Sequence, residues 1–397
     1  MTLDLYTMNE NFIPDKVVDE FSSVVWTERY SAAGEVQLVV PAFPEYIEML
    51  QEGTYLGMAG TREVMELQTQ SIDSGVLTVI GRTLLSFLDQ RIHWVKTTDS
   101  DQPIGDLTIT AKLGELIADR VTKMVITPAN FSPNTAPWSN LNLDWERDKI
   151  PRLELGDVDH SGTDQRWTVP VGPLYTVLAE LAAKDGLGMS LYLESADAVL
   201  GYVLKFITYR GIDRTSTQTV VPLIRLTPDL ETMSDLKEVR SIDGYKNVVY
   251  VVYNKALSMH YEDPANIPEG LARRVMVTDA EGEPLGRKVT GTGYLGGNYY
   301  GGSYTYITAP GPLEIAAFRE QNAKDALANH NYIRALDGQV SQQNEYKFGT
   351  DYGMGDIIEL EGLTGTINKA RITEYIRSQD NTGVREYPTL SVIGTST

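Results

Sequence analysis

The sequence predicts an α+β protein, β-rich, divided into two or three domains. Three observations lead there. Short runs of β-branched and aromatic residues recur between turn formers, as at Val24–Tyr30, Glu35–Val40, Val64–Gln70 and Val76–Ile80. Apolar residues at helical spacing occupy few stretches, chiefly Leu113–Met124, Leu174–Ala182 and Leu313–Ala335. The 397 residues exceed what one core of ordinary size organises.

The first two runs form the clearest unit. Ser31-Ala32-Ala33-Gly34 joins them as a hairpin loop, and Val36, Leu38 and Val40 alternate with Glu35 and Gln37, so one face is destined for a core. Pro41 stops the second strand for want of an N–H. A helical turn at Tyr46–Leu50 follows, then the next strand pair, turned by Asp73-Ser74-Gly75. Strands this short with tight turns indicate a small antiparallel sheet or barrel. Leu84, Leu85, Leu88 and Ile92 lie at helical spacing and close a first domain near residue 95.

Asp99–Asp106 reads as a linker, and Leu113–Met124 as an amphipathic helix broken by Pro128–Pro137. Asp144–Thr168 is rich in turn formers. The helix at Leu174–Ala182 stops at Asp185-Gly186, before strands at Met189–Leu193 and Tyr202–Tyr209. Val248–Tyr253 is a continuous apolar run with the composition of a buried strand. Asp263–Gly311, rich in Gly, Pro, Tyr and charge, is expected to be an insertion or long loop. A helix at Leu313–Ala335, stopped by Asp337-Gly338, precedes strands at Val340–Phe348, Asp356–Leu360, Ala370–Ile376 and Thr389–Ile393.

Composition excludes several function classes. No cysteine is present, which removes disulfides, thiolate metal sites and cysteine nucleophiles. The net charge of −20 argues against a stable grip on nucleic acid but allows transient passage of DNA, because an acidic wall repels the phosphate backbone. No apolar run approaches the ~20 residues of a membrane-spanning helix. Met1–Tyr6 lacks the basic-then-apolar order of a secretory signal, so synthesis and folding in a cytoplasm are expected.

The motifs that imitate chemistry are incomplete. Gly291-Thr292-Gly293-Tyr294-Leu295-Gly296 fits G-x-G-x-x-G, but the Gly/Tyr tract after it cannot supply the helix N-terminus a dinucleotide site needs, so a Gly/Tyr loop is expected. Asp157-Val158-Asp159-His160-Ser161-Gly162 matches the first half of a calcium loop, yet Thr168 stands where the closing carboxylate belongs. His93, His160, His260 and His330 are scattered. Acid pairs such as Asp19-Glu20 and Asp229 with Glu231 are expected by chance among 54 acids. No catalytic, cofactor-binding or metal-ligating residue is assigned, and no cofactor is expected.

Four stretches together resemble the tail hub (baseplate hub or minor tail) proteins of long-tailed siphophages of Gram-positive or actinobacterial hosts. They are Trp26–Leu38, with its Trp, Arg-Tyr and Gly-Glu; Gly81–Ile92; Arg210-Gly211-Ile212-Asp213-Arg214-Thr215; and Asp351-Tyr352-Gly353-Met354-Gly355-Asp356-Ile357-Ile358. The resemblance implies two related small antiparallel β-barrel domains with inserted α/β segments, as in the contractile-phage hub. Residues 1–95 would form the first barrel, 96–215 plus 259–312 the inserted region, and 216–258 plus 313–397 the second barrel with its preceding helix. Tyr55-Leu56-Gly57-Met58 parallels Tyr352-Gly353-Met354-Gly355 in keeping with two related halves.

The implied function is structural. The resemblance implies a homotrimeric ring at the distal end of the virion tail, not an enzyme. It would link the distal tail ring to tip, fibre or spike proteins, hold the tape-measure protein and form part of the DNA ejection channel. It would have no membrane segment of its own. On this reading Trp26, Val36, Leu38 and Val40 fill the first barrel, while Glu28, Arg29, Glu35 and Gln37 lie at its rim or a subunit boundary. The alternatives are a hexameric distal tail adaptor, against which the helical region Leu113–Ala182 speaks, and a carbohydrate-binding or hydrolytic tip protein.

Overall fold

The computed structural model describes residues 3–96, 104–128, 145–197, 201–227, 233–281, 284, 287–295, 298–328, 330, 333–340, 346–362 and 365–395. They fall into two compact units, residues 1–237 with 336–397 and residues 238–335.

The larger unit opens with β1 (Leu5–Met8), β2 (Pro14–Val18), β3 (Ser23–Arg29) and β4 (Glu35–Pro41), then helix α1 (Pro44–Met49), β5 (Tyr55–Met58), β6 (Met65–Asp73) and β7 (Val76–Thr83). Every pairing among these strands is antiparallel, in the order β3-β4-β7-β6-β5-β1-β2. Alternation fixes the register: Trp26, Val36, Leu38 and Val40 are fully buried, in one core with Leu5, Leu56, Met65 and Val79. The β6–β7 turn holds Ser74 and Gly75 at positive φ, 51° and 81°. A 3-10 helix at Leu84–Gln90 follows.

The segment after it packs a second core. Helix α2 (Leu113–Val121) runs into a π-helical turn at Thr122–Ile126, and helix α3 (Leu174–Lys184) ends at Gly186, φ +59°. Leu107–Ala111 pairs antiparallel with Gln165–Val169. Strand β8 (Leu153–Leu155) runs parallel to β10 (Gly201–Tyr209), which is antiparallel to β9 (Gly188–Asp197). Leu116, Ile117, Leu174, Leu178, Leu191 and Phe206 meet in its interior. Strand β11 (Arg225–Leu226) follows.

The smaller unit contains β12 (Val248–Tyr253), β13 (Ala256–Tyr261), β14 (Val275–Asp279), β15 (Arg287–Leu295), β16 (Asn298–Thr308) and helix α4 (Pro312–Ala328). Its sheet is ordered β13-β12-β14, with β14 parallel to β12, and β15 and β16 form a separate antiparallel hairpin. The expectation of a long loop at Asp263–Gly311 is therefore corrected, because alternating Val and Thr in β14 and the Thr- and Tyr-rich arms of the hairpin outweigh the glycines. The helix ends at Ala328, not Ala335, since Ile333–Val340 is a strand paired with Met233–Ser241.

The chain returns to the larger unit with β17 (Ile357–Glu361), β18 (Ile367–Asp380) and β19 (Gly383–Thr395). The end of β18 pairs with β3, and its beginning with β17, which runs parallel to β11. β19 pairs along the length of β18. One 11-stranded mixed sheet results, with a separate core of Ile224, Leu226, Tyr352, Ile358, Leu360, Ala370 and Ile372. The fold class is β-rich α+β, and the strand order of this sheet is an open path without barrel closure among the described residues. The local parallel between residues 55–58 and 352–355 does not extend to structure: the first is a strand, the second a turn bearing Gly355 at φ +85°. Of the expected linker only Ile104–Asp106 is described; Pro128 is the last described residue before 145, and the expected strand at Val340–Phe348 falls largely outside the described residues. Among the described residues no helix is long and apolar enough to cross a membrane.

Candidate functional site

All four quoted stretches lie in the larger unit, and three of them meet at Tyr30, just after β3. Its side chain is buried, and its backbone joins two segments: the N–H donates to Thr373 O (2.9 Å) and the carbonyl accepts from Met189 N (2.9 Å). The phenol reaches the carbonyls of Gly186 (3.0 Å) and Tyr209 (3.2 Å), while Arg371 Nη1 donates to its oxygen (3.1 Å). The Tyr209 ring stands edge-on at 5.3 Å, and the Arg371 guanidinium lies over the Tyr30 ring, also at 5.3 Å. Burial raises the Tyr30 hydroxyl above its ordinary range, against the opposing pull of Arg371.

Glycine makes this approach possible. A Cβ on Gly188 would sit 2.3 Å from the Tyr30 ring, one on Gly355 2.1 Å from it, and one on Gly211 1.9 Å from the Gly355 carbonyl. At the hairpin loop Gly34 exchanges two bonds with Thr83, N–H to Oγ1 and carbonyl from N–H, each 3.0 Å, and Ala33 N–H donates to the Tyr175 hydroxyl (2.8 Å). The Trp26 and Gly81 stretches are thereby tied together, and α3 is tied to both.

The charged motif residues are engaged in pairs. Arg214 Nε meets Asp356 Oδ2 at 2.6 Å, and the N–H groups of Ile212 and Gly353 donate to the same carboxylate (2.7 and 3.0 Å). Glu359 is fully buried and accepts from Arg225 (2.6 Å) and from Ser216 N–H (2.8 Å). Burial alone would raise its pKa; the Ser216 and Arg225 donors bring it below the ordinary carboxylate value. Arg210 bonds Asp159 Oδ2 (3.0 Å) and the Asp185 carbonyl (2.7 Å), and pairs with the Asp185 carboxylate.

Glu28 and Arg29, expected at a rim or subunit boundary, instead face β18: Glu28 pairs with Arg377 at 2.6 Å and Arg29 with Glu374 at 2.8 Å. Beside the first pair lies Glu63, which accepts from Ser190 Oγ (3.0 Å) and has its second oxygen buried without a hydrogen-bond partner. Burial, with the Glu28 charge adding to it, pushes Glu63 up to about 8.

The residues singled out for chemistry are dispersed. Asp159 accepts from Ser161 N–H (3.2 Å) and Oγ (2.6 Å) and from Arg210, which makes a turn of the half calcium loop. His93 is buried against Pro170 O (2.8 Å), His160 meets Glu115 at the surface (2.9 Å), His260 approaches Ser258 (3.3 Å), and the His330 carbonyl accepts from Lys246. Asp19 accepts from the Tyr46 hydroxyl (2.8 Å); Asp229 and Glu231 lie outside the described residues. No group of three potential metal ligands gathers among the described residues. The contacts of the Tyr30 joint are those of a packed, charge-paired seam.

Sequence reasoning missed Glu63, Gly188 and Arg371, which no spacing marked. It held the signal for Tyr30, in Arg-Tyr before a glycine-ended loop, without the partners that explain it.

Solved structures with this fold extend over nearly the whole chain. The tail protein from Neisseria meningitidis MC58 aligns with 98% of this chain and 96% of its own, at a TM-score of 0.54 and 13% identity. The prophage MuSo2 43 kDa tail protein from Shewanella oneidensis aligns with 98% of each, at 0.53 and 14%. The fold is thus one that these solved tail proteins share. Residues 3–257 match the Siphovirus ReqiPepy6 Gp37-like proteins, and the chain belongs to that family. No curated protein matches it.

Proposed function

We propose that the chain is the structural hub of a phage tail tip, a homotrimeric ring at the distal end of the virion tail. The observation that carries this reading is β18, a single 14-residue strand that pairs with β3 at one end and β17 at the other. Its backbone is thereby bonded to the strand that gives Val24 and Trp26 to one apolar core, while its own Ala370 and Ile372 lie in a second. In the hub reading the strands of residues 1–95 curl into one small barrel. Those that 216–258 and 313–397 contribute to the larger unit form its relative, with 96–215 and 259–312 as insertions. Three such chains present six barrels to the ring above, and ring closure buries sheet edges that would otherwise invite aggregation.

The hub is structural, not enzymatic. It links the distal tail ring to tip, fibre or spike proteins, holds the end of the tape-measure protein and lines part of the ejection channel. The net charge of −20 suits a wall that DNA crosses without sticking. Gold-labelled antibody against the chain should decorate the distal tip of intact virions; label along the tail tube, or none on virions, overturns the reading. Release of peptidoglycan fragments by the purified chain would overturn the non-enzymatic part alone.

A further inference from the structure

The stretch from Asp89 to His93, at the end of the 3-10 helix, is clasped to the start of α3. Ile92 and His93 pair antiparallel with Pro173 and Gly172, Leu174 N–H donates to Arg91 O (2.7 Å), and Thr176 Oγ1 donates to Asp89 Oδ1 (2.9 Å). A further bond comes from the His93 ring, whose Nδ1 lies 2.8 Å from Pro170 O. A carbonyl only accepts, so Nδ1 carries the proton and the neutral ring has its lone pair on Nε2. That nitrogen is buried without a hydrogen-bond partner among the described residues, and His93 as a whole is sealed from solvent.

A second proton is costly here. It places an N–H on Nε2 with no acceptor, in surroundings that strip water from the imidazolium. Among the described residues two charges from other elements act on the ring. Arg120, on α2 and 5% exposed, opposes a positive ring; Asp106 favours one, but already accepts from Val171 N–H (2.9 Å). On the ring's own segment Arg91 Nε is turned to Asp148 O (2.9 Å). Burial, with Arg120 adding to it, outweighs the Pro170 carbonyl and Asp106 and holds the imidazole below its ordinary range. The closed clasp thus fits the neutral ring and penalises the charged one. Its state also matters beyond α3, because the Tyr175 hydroxyl, on the same first turn, takes the Ala33 N–H of the β3–β4 hairpin loop (2.8 Å).

We propose that this clasp is an acid latch: when His93 takes a second proton, residues 170–176 part from residues 89–93 and the ring reaches water, while the first sheet stays folded. The latch stands independently of the hub reading. Hydrogen–deuterium exchange of the full chain at pH 7.5 and pH 5, corrected for the intrinsic pH dependence of exchange, tests it. At pH 5 a freed imidazole with the ordinary value of 6.5 is about thirty times more often charged than neutral, which sets the ceiling of the effect. Protection in peptides covering residues 165–180 should fall roughly 5- to 30-fold between the two pH values, while those covering β6 and β7 keep theirs. His93→Gln, which retains a donor for Pro170 O and does not titrate, should abolish the acid loss; His93→Asn serves if that chain does not fold. Equal protection at both pH values, the same acid loss in the uncharged variant, or simultaneous loss over β6 and β7 in the parent overturns the latch.

Discussion

Around Tyr30 three glycines strip away side chains so that backbones and a ring touch, and every nearby arginine has a carboxylate or carbonyl partner. In the smaller unit's sheet the reverse holds: Leu257 and Val277 are more than half exposed. The residues that carry the family resemblance therefore mark where the chain is locked to itself. Conformationally exacting joints leave a readable pattern because few residue types satisfy them; an apolar surface accepts many.

Substitutions should separate the two regions by size of effect. Gly355→Ala meets the Tyr30 ring at 2.1 Å and forces alanine into φ +85°. A loss of ~3–5 kcal/mol in denaturant unfolding is expected from overpacking and backbone strain together. A loss below ~1 kcal/mol would show that the joint yields. Arg225→Ala leaves Glu359 buried without its cation, at a cost of ~3 kcal/mol by the same measurement, and Glu359→Gln in that background should recover part of it.

The Glu63 carboxyl offers a test by pH. Folding raises its pKa from 4.5 to about 8. The unfolded chain thus releases this proton first, and the stabilisation, complete below pH 4.5, is lost as pH rises through 8. Glu63→Gln should flatten that slope and gain on the parent by a few kcal/mol near pH 8, as on the order of 1.4 kcal/mol accompanies each unit. Parallel melting-temperature profiles for the two proteins from pH 5 to 9 would remove Glu63 from the account. Tyr30→Phe, which deletes one buried hydroxyl and deprives Arg371 of an acceptor, should cost ~1–2 kcal/mol. Val277→Asp, at an exposed position, should change unfolding by no more than about 0.5 kcal/mol.

Much of the strand content was legible. The hairpin at Val24–Pro41, the buried run at Val248–Tyr253 and the α3 stop at Gly186 follow from alternation, β-branching and a left-handed glycine. What sequence periodicity lacked was long-range pairing. Nothing local in Glu374–Gln379 says that it binds Val24–Arg29. For the same reason Glu28 and Arg29, polar on the strand pattern, are expected at a rim or subunit boundary, whereas β18 brings Arg377 and Glu374 to them. The Gly/Tyr segment misled because glycine reads as loop, whereas opposite tyrosine in a ribbon it is tolerated.

In the proposed hub this chain closes a ring with copies of itself, and the native mass of the purified assembly measures that directly. Three copies are expected; six, or a monomer at every concentration, would contradict the account.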